Sequence, residues 1–230
     1  MKPTLTDAAA WPVTEPYAAA VRTGRGPLFL RRADGWLLPL DIERWCGLPD
    51  PADWSVLRQC TGSVLDIGCG PGRLVAALAG LGRQALGIDV SAEAVDRTNA
   101  GGGSALLRSV FDDLPGEGRW GTALLMDGNI GIGGDPAALL ARVAGLLAPG
   151  GLLLVEALPY EVDEQVLVHV DDGTGSAPGP DFPWARVGTD ALLRHARATG
   201  RFSARETWTA DGRCFAALRT PEPTGRTARR

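Results

Sequence analysis

A doubly wound, mostly parallel α/β sheet that ends in an antiparallel hairpin is the fold class this sequence predicts, on three observations. From about residue 60, short apolar runs alternate with Ala/Leu-rich stretches of helical spacing, the pattern that marks βαβ units. A glycine-rich turn, Gly68-Cys69-Gly70-Pro71-Gly72, joins the first apolar run to a helical stretch. Near the end, Ala210-Asp211-Gly212 separates two strand-like runs, and Asp-Gly is a strong hairpin signal.

Taken in order, the predicted strands are 63–67, 84–89, 105–110, 122–126 and 152–157, with helices over 73–81, 92–99 and 136–147 between them. The last of these helices has clear ends. Asp135 caps its free N–H groups, Pro136 suits the first helical position, and Pro149-Gly150-Gly151 stops it. A helix over 191–199 then precedes the hairpin runs 202–209 and 213–218. Within the insertion 159–188, the part 171–183 is rich in Gly, Pro and Asp and reads as a long loop; loops of that length in a compact domain are functional or disordered.

The first sixty residues differ in character. Four of the seven tryptophans, Trp11, Trp36, Trp45 and Trp54, sit there among prolines and arginines. Asp34-Gly35 forms a hairpin-like turn between Leu28-Phe29-Leu30 and Trp36-Leu37-Leu38. The division expected is therefore a cap or lid over 1–60, a core domain over 61–219 carrying the insertion 159–188, and a flexible tail over 220–230.

Composition sets limits. The chain has 230 residues, 45% hydrophobic and 22% charged, enough to bury roughly 70% of its unfolded surface without disulfides or a structural metal. Cys46, Cys60, Cys69 and Cys214 show no Cys-x-x-Cys pair and no metal-ligand spacing, so reduced thiols and no metal are expected. The formal net charge of −4 argues against tracking a phosphate backbone, which needs a basic face. The apolar run Gly151 to Val155 stops at Glu156, far short of the ~20 residues of a membrane span. The first sixteen residues hold one lysine, two acids and three prolines and lack the charged start and apolar run of a secretory signal, so a cytoplasmic location is expected.

The chemistry concentrates in VLDIGCGPGRL, Val64 to Leu74. An apolar strand runs into glycines where the backbone turns sharply and a ligand can approach closely. The second strand ends in Asp89, some twenty residues on, where a carboxylate in a doubly wound sheet accepts hydrogen bonds from ribose hydroxyls. A dinucleotide fingerprint needs a third glycine where Arg73 stands, and Pro71 has no N–H for a phosphate. Asp66, two residues before the first glycine, is badly placed for a pyrophosphate and well placed for an ammonium group. The turn therefore suits a nucleoside carrying a cationic amine.

With GIDVS at 87–91 and LLAPGGLLLVE at 146–156, the chain resembles the class I S-adenosylmethionine-dependent methyltransferases over about residues 61–160. The resemblance implies a Rossmann-like, seven-stranded sheet and S-adenosylmethionine as cosubstrate, with S-adenosylhomocysteine as product. It implies that Asp66, Gly68, Cys69, Gly70 and Gly72 serve the methionine part, and Asp89 and Val90 the ribose. Ser109, Val110 and Phe111, followed by Asp112-Asp113, look like the adenine-contacting segment, and Asp127 and Gly128 would close the site at the end of the fourth strand. The Asn/Asp-Pro-Pro-aromatic motif of nucleic-acid and protein amino-methyltransferases is absent there: the segment reads Asp127-Gly128-Asn129-Ile130. Glu156-Ala157-Leu158 stands where metal-dependent catechol methyltransferases carry an Asp-Asn pair.

Methyl transfer from a sulfonium is an in-line displacement, so holding the partners in line with water excluded supplies most of the acceleration. If the acceptor carries a proton, Asp127, His169 and Tyr160 are the candidate bases. Trp36, Trp45, Phe182 and Trp184 are candidates to line an apolar or aromatic acceptor site, with Arg22 or Arg25 to meet a carboxylate. A small-molecule acceptor is expected, with nucleic acid disfavoured and no membrane partner. Two alternatives stand beside this reading: a nucleoside-binding module without turnover, and an NAD-dependent oxidoreductase on the same kind of sheet.

Overall fold

The computed structural model describes residues 14–175 and 179–222. In chain order the elements are α1 (Glu15–Thr23), β1 (Phe29–Arg31), β2 (Leu37–Pro39), α2 (Ile42–Trp45), α3 (Pro51–Leu57), β3 (Val64–Ile67), α4 (Arg73–Gly80), β4 (Ala85–Asp89), α5 (Ala92–Ala100) and β5 (Ala105–Leu107). There follow β6 (Trp120–Leu125), a 3₁₀ turn (Asn129–Gly131), α6 (Pro136–Leu146), β7 (Leu147–Ala157), β8 (Asp163–Asp171), β9 (Phe182–Val187), α7 (Thr189–Ala198), β10 (Ser203–Ala210) and β11 (Arg213–Arg219).

Seven strands form the main sheet in the order β10-β11-β7-β6-β3-β4-β5. Neighbours from β7 to β5 are parallel, and β11 and β10 add antiparallel through the Asp211-Gly212 hairpin. The central strands are buried on both faces, so alternate residues feed different cores. Leu65, Ala123, Leu125, Leu153 and Val155 pack under α6 and α7. Val64, Leu124, Leu152 and Leu154 pack under α3 and α4. The expected helix over 136–147 is present, with the Asp135 side chain accepting from the Ala138 N–H at 3.0 Å and Pro136 in the first turn.

Two boundaries move for local reasons. The third parallel strand stops at Leu107, not 110, because Ser109 and Asp112 close a turn on each other: Ser109 N–H donates to Asp112 Oδ2 at 2.9 Å, and Phe111 N–H to Ser109 Oγ at 3.2 Å. The fifth begins at Leu147, not 152, since Leu147 already pairs with Trp120 as α6 ends.

The larger departure is a second sheet, order β2-β1-β8-β9. The Asp34-Gly35 hairpin forms as expected, Gly35 at φ 87°. Its first strand also pairs with β8 across most of the chain, Leu30 opposite Val170 and Arg31 opposite His169, and Arg31 is salt-bridged to Asp171. β8 and β9 pair from Asp163–Val187 to Val168–Phe182. This corrects the reading of 171–183 as one loop: Asp171 belongs to β8, and Phe182 and Pro183 belong to β9. The strands form because Val168, Val170, Phe182 and Trp184 bury together with Tyr17, Val21, Leu28 and Leu30 in a third core, which outweighs the local Gly/Pro composition.

The expected flexible tail is corrected at its start. Thr220 N–H donates to Gly151 O and Gly150 N–H to Pro221 O, each at 3.0 Å, so 220–221 is tied to the start of β7. The rest of that tail, 223–230, lies outside the described residues, as does Trp11.

Candidate active site

The glycine turn crosses from β3 toward β4. Gly68 and Cys69 N–H groups both donate to Ile88 O, at 2.9 and 3.0 Å. Three glycines adopt the left-handed region, Gly68 at φ 70°, Gly70 at 52° and Gly72 at 85°, where a side chain is strained. Space is also short. A Cβ on Gly68 would lie 2.7 Å from Asn129 Nδ2, whose amide donates to Ile67 O and Gly68 O at 2.9 Å each. A Cβ on Gly72 would overlap Thr98, whose hydroxyl ties down Gly70 O at 3.0 Å. Gly72→Ala is therefore expected to lose about 1–3 kcal/mol of stability, a drop of roughly 3–10 °C in Tm for a chain of this size, readable by thermal unfolding.

Asp89, at the end of β4, faces the turn. Its carboxylate accepts Gly70 N–H at 2.8 Å and Ser91 N–H at 2.9 Å. Burial raises its pKa, and these amides pull it back.

Turn and carboxylate open into a cavity of about 390 Å³ at the C-terminal ends of β3, β4 and β6, where open α/β sheets bind ligands. Of the residues expected at a site, Gly68, Cys69, Gly70, Asp89, Val90, Ser109, Val110, Phe111 and Asp127 line it, as do Trp45, Phe182 and Trp184. Asp66, Gly72, Gly128 and His169 are not in its wall. Strand alternation accounts for Asp66, which is buried on the far side of Leu65 and Ile67. Burial and the nearby Asp127, Asp89 and Asp53 carboxylates, partly offset by Arg73, push its pKa to about 7. Gly72 packs on Thr98 instead, and Gly128 begins the 3₁₀ turn in open space.

His169 sits on β8, bonded through Nδ1 to Asp181 at 3.0 Å, and lines a separate hollow with Arg31 and Arg32. It is removed from the main cavity because it points to the face opposite Val168 and Val170. Tyr160 is half exposed and accepts from Arg186 Nη2 at 2.6 Å. Trp36 is also outside, with the Arg186 guanidinium 4.4 Å from its ring centre. Arg22 pairs with Glu15 and Glu93 on the surface, and Arg25 is absent from the wall.

The wall also contains residues that motif reading passes over, chiefly Tyr17, Arg73, Asn129 and Ile132. For Tyr17 a signal exists: after Pro16, Tyr17, Ala20 and Val21 recur at i, i+3 and i+4 and are all buried. Burial raises the Tyr17 phenol well above its ordinary pKa, with the Asp89 charge adding to the effect.

Beneath the cavity lies a buried ion network. Arg73 Nε and Nη2 donate to Asp53 at 2.7 and 2.9 Å, and its Nη1 and Nη2 to Asp127 at 2.7 and 3.1 Å. Arg213 donates to both Glu156 oxygens at 2.8 and 2.7 Å and to Asp53 at 2.9 Å. Arg44, from α2, lies 2.8 Å from Asp127 at an angle that makes the contact an ion pair and not a hydrogen bond. The Asp127 backbone N–H donates to Glu156 at 2.8 Å. Burial would raise the pKa of both Asp53 and Asp127, but the guanidinia prevail: Asp53 falls to about 2, and Asp127 is lowered by Arg73, Arg44 and Arg213. An Asp127 so held is a poor proton acceptor, which corrects the expectation of a base there.

The family described as a methyltransferase domain matches residues 64–151. No curated protein matches the chain in sequence. Among solved structures, an S-adenosylmethionine-dependent methyltransferase from Bacteroides fragilis, in complex with S-adenosylhomocysteine, is similar at 20% identity and TM-score 0.73, over 94% of this chain and 99% of that one. A 1,6-didemethyltoxoflavin N1-methyltransferase from Burkholderia thailandensis is similar at 20% identity and TM-score 0.56, over 75% and 77% of the two chains. A structure concerned with conversion of a disulfide into a thioacetal in echinomycin biosynthesis is similar at 19% identity and TM-score 0.62, over 93% and 95%. These likenesses bear out the fold expected from the strand and helix pattern.

Proposed function

We propose that the chain, whose residues 64–151 match a methyltransferase domain and whose fold is that of S-adenosylmethionine-dependent methyltransferases, is a class I S-adenosylmethionine-dependent methyltransferase that methylates a small molecule held in the cavity above β3, β4 and β6. One observation carries this reading: the glycine turn and Asp89 face one cavity whose remaining wall is mostly apolar and aromatic. The residues present fit the cosubstrate. Gly70 leaves room for close approach, Asp89 offers a carboxylate to ribose hydroxyls, and Ser109, Val110 and Phe111 offer a slot for a base. S-adenosylmethionine supplies an electrophilic methyl group on a sulfonium. The protein's part is to orient the acceptor and exclude water. We assign the N-terminal segment and the insertion to a cap, since β1, β8 and β9 form one sheet and Phe182 and Trp184 of that sheet reach the cavity.

Calorimetric titration tests the reading: S-adenosylmethionine and S-adenosylhomocysteine should bind and NAD should not. Binding of NAD alone would overturn it. The buried Asp66 carboxyl gives the free protein a pH dependence of defined sign: raised by burial to about 7, it costs stability as pH rises from about 4 through about 7. Urea unfolding of wild type and Asp66→Asn at about pH 5 and about pH 8 checks this; wild type should lose more stability between the two, and equal losses would remove Asp66 from the account.

A further inference from the structure

Tyr17 comes from α1, well outside the matched stretch 64–151, yet it stands in the wall of the cavity beside the glycine turn. The helix that carries it is fixed in place. It packs against α5, where Tyr17, Ala20 and Val21 bury in one core with Ala94, and Arg97 of α5 donates to Val21 O at 2.7 Å. Gly24 ends the helix in the left-handed region, its N–H on Ala20 O at 2.8 Å. Since α5 begins three residues after Asp89, the packing that seats α1 also sets Tyr17 relative to the end of β4.

The phenol oxygen faces the turn. It lies 3.9 Å from the point that a Cβ on Gly70 would occupy, and among the described residues, chain neighbours of Gly70 aside, no other atom comes within 4 Å of that point. Burial first, and then the Asp89 charge, raise its pKa well above the ordinary phenol value. The oxygen therefore keeps its proton at neutral pH and remains a hydrogen-bond donor.

The sheet order gives the direction of a bound nucleoside. β6, β3, β4 and β5 are neighbours in that order. With the ribose at Asp89 on β4 and the base at Ser109, Val110 and Phe111 after β5, the chain on the ribose 5′ carbon runs the opposite way, over the glycine turn that ends β3 and toward Asp127 after β6. Tyr17 stands on that course, near Gly70, Asp89 and Asp127. In S-adenosylmethionine the far end of that chain is an amino acid, whose carboxylate only accepts hydrogen bonds. Asp127 is matched there by Arg73 at 2.7 Å and Arg44 at 2.8 Å, so its charge is no bar to a further carboxylate nearby.

Resting on the methyltransferase reading, we propose that Tyr17 is a cosubstrate-binding residue whose phenol O–H donates to the carboxylate of the methionine part, which makes α1 one wall of the cosubstrate site. The N-terminal segment then serves the cosubstrate as well as the cap.

The test is calorimetric titration of the full-length protein, wild type and Tyr17→Phe, with S-adenosylhomocysteine and with its decarboxylated analogue, which keeps the ammonium group and lacks only the carboxylate. Phenylalanine keeps the ring in its core with Ala20, Val21 and Ala94, so the fold is retained. Tyr17→Phe should bind S-adenosylhomocysteine about tenfold to hundredfold more weakly, the range for a hydrogen bond to a charged group, and should bind the analogue within about threefold of wild type. Unaltered affinity for S-adenosylhomocysteine would overturn the proposal. So would equal weakening of both ligands, which would show that the phenol acts only through the shape of the turn. If S-adenosylhomocysteine does not bind the wild type, the methyltransferase reading itself fails, a result distinct from the other two.

Discussion

Arg73→Met is expected to lower the unfolding free energy by roughly 3–5 kcal/mol, the usual cost of removing one partner from a buried ion pair. Methionine keeps much of the stem's volume, so the loss is chiefly electrostatic. The Arg73 side chain is 4% exposed and that of Asp53 is not exposed at all. Without the guanidinium, Asp53 keeps Arg213, at 2.9 Å, and the amide of its own capping box. Asp127 keeps Arg44 and the more distant Arg213. Each carboxylate then retains its desolvation cost with fewer counter-charges.

Urea unfolding of wild type, Arg73→Met, Asp53→Asn and the double variant closes a cycle, and the double variant should recover part of the loss because the orphaned charge is gone. A loss below about 1 kcal/mol in Arg73→Met would mean that the network is as weak as an exposed pair. The pH dependence has a defined sign. Asp53 and Asp127 lie below their ordinary pKa values, so the stability they contribute is complete above about pH 4 and falls as pH drops toward the Asp53 value of about 2. In Arg73→Met that acid limb should flatten.

The second large effect falls on binding. If Asp89 holds the ribose as proposed, Asp89→Ala is expected to weaken S-adenosylhomocysteine about a hundredfold to ten-thousandfold, since two hydrogen bonds to a charged acceptor are lost at roughly 1.5–3 kcal/mol each. Asp89 also fixes the turn through Gly70 N–H, so the variant loses preorganisation as well as contacts. Asp89→Asn, which keeps one acceptor oxygen and the shape, should fall between the two. Affinity within about threefold of wild type in Asp89→Ala would show that the ribose is held elsewhere.

Why these two residues differ in legibility is a matter of distance along the chain. Asp89 is readable because a strand ending in an acid at a set interval after a glycine turn is a local pattern. Arg73 shows in the sequence only as a residue where a dinucleotide site needs glycine; its partners come from α3, from the loop after β6 and, through Arg213, from β7 and β11. No periodicity brings those segments together. The parallel sheet was legible for the same local reasons, down to the Asp135 cap. The second sheet was not, because β1 and β8 pair at a separation of well over a hundred residues, and because Gly, Pro and Asp in the 171–183 stretch hide two short strand ends. The role expected of Asp127 failed on its surroundings: a carboxylate at the end of the fourth strand looks like a base until the guanidinia around it are seen.

The pairing of β1 with β8 also sets a schedule for synthesis. The hairpin Phe29–Pro39 is complete long before Asp163–Asp171 is translated; at about 5–20 residues per second the first strand waits on the order of ten seconds with one edge unpaired. A chain stalled or truncated in that interval already has the glycine turn and Asp89 but has no β8 or β9. The glycine turn and Asp89 can thus be assembled while Phe182 and Trp184 are still inside the ribosome or not yet made, so the cavity's wall is closed only after its floor exists.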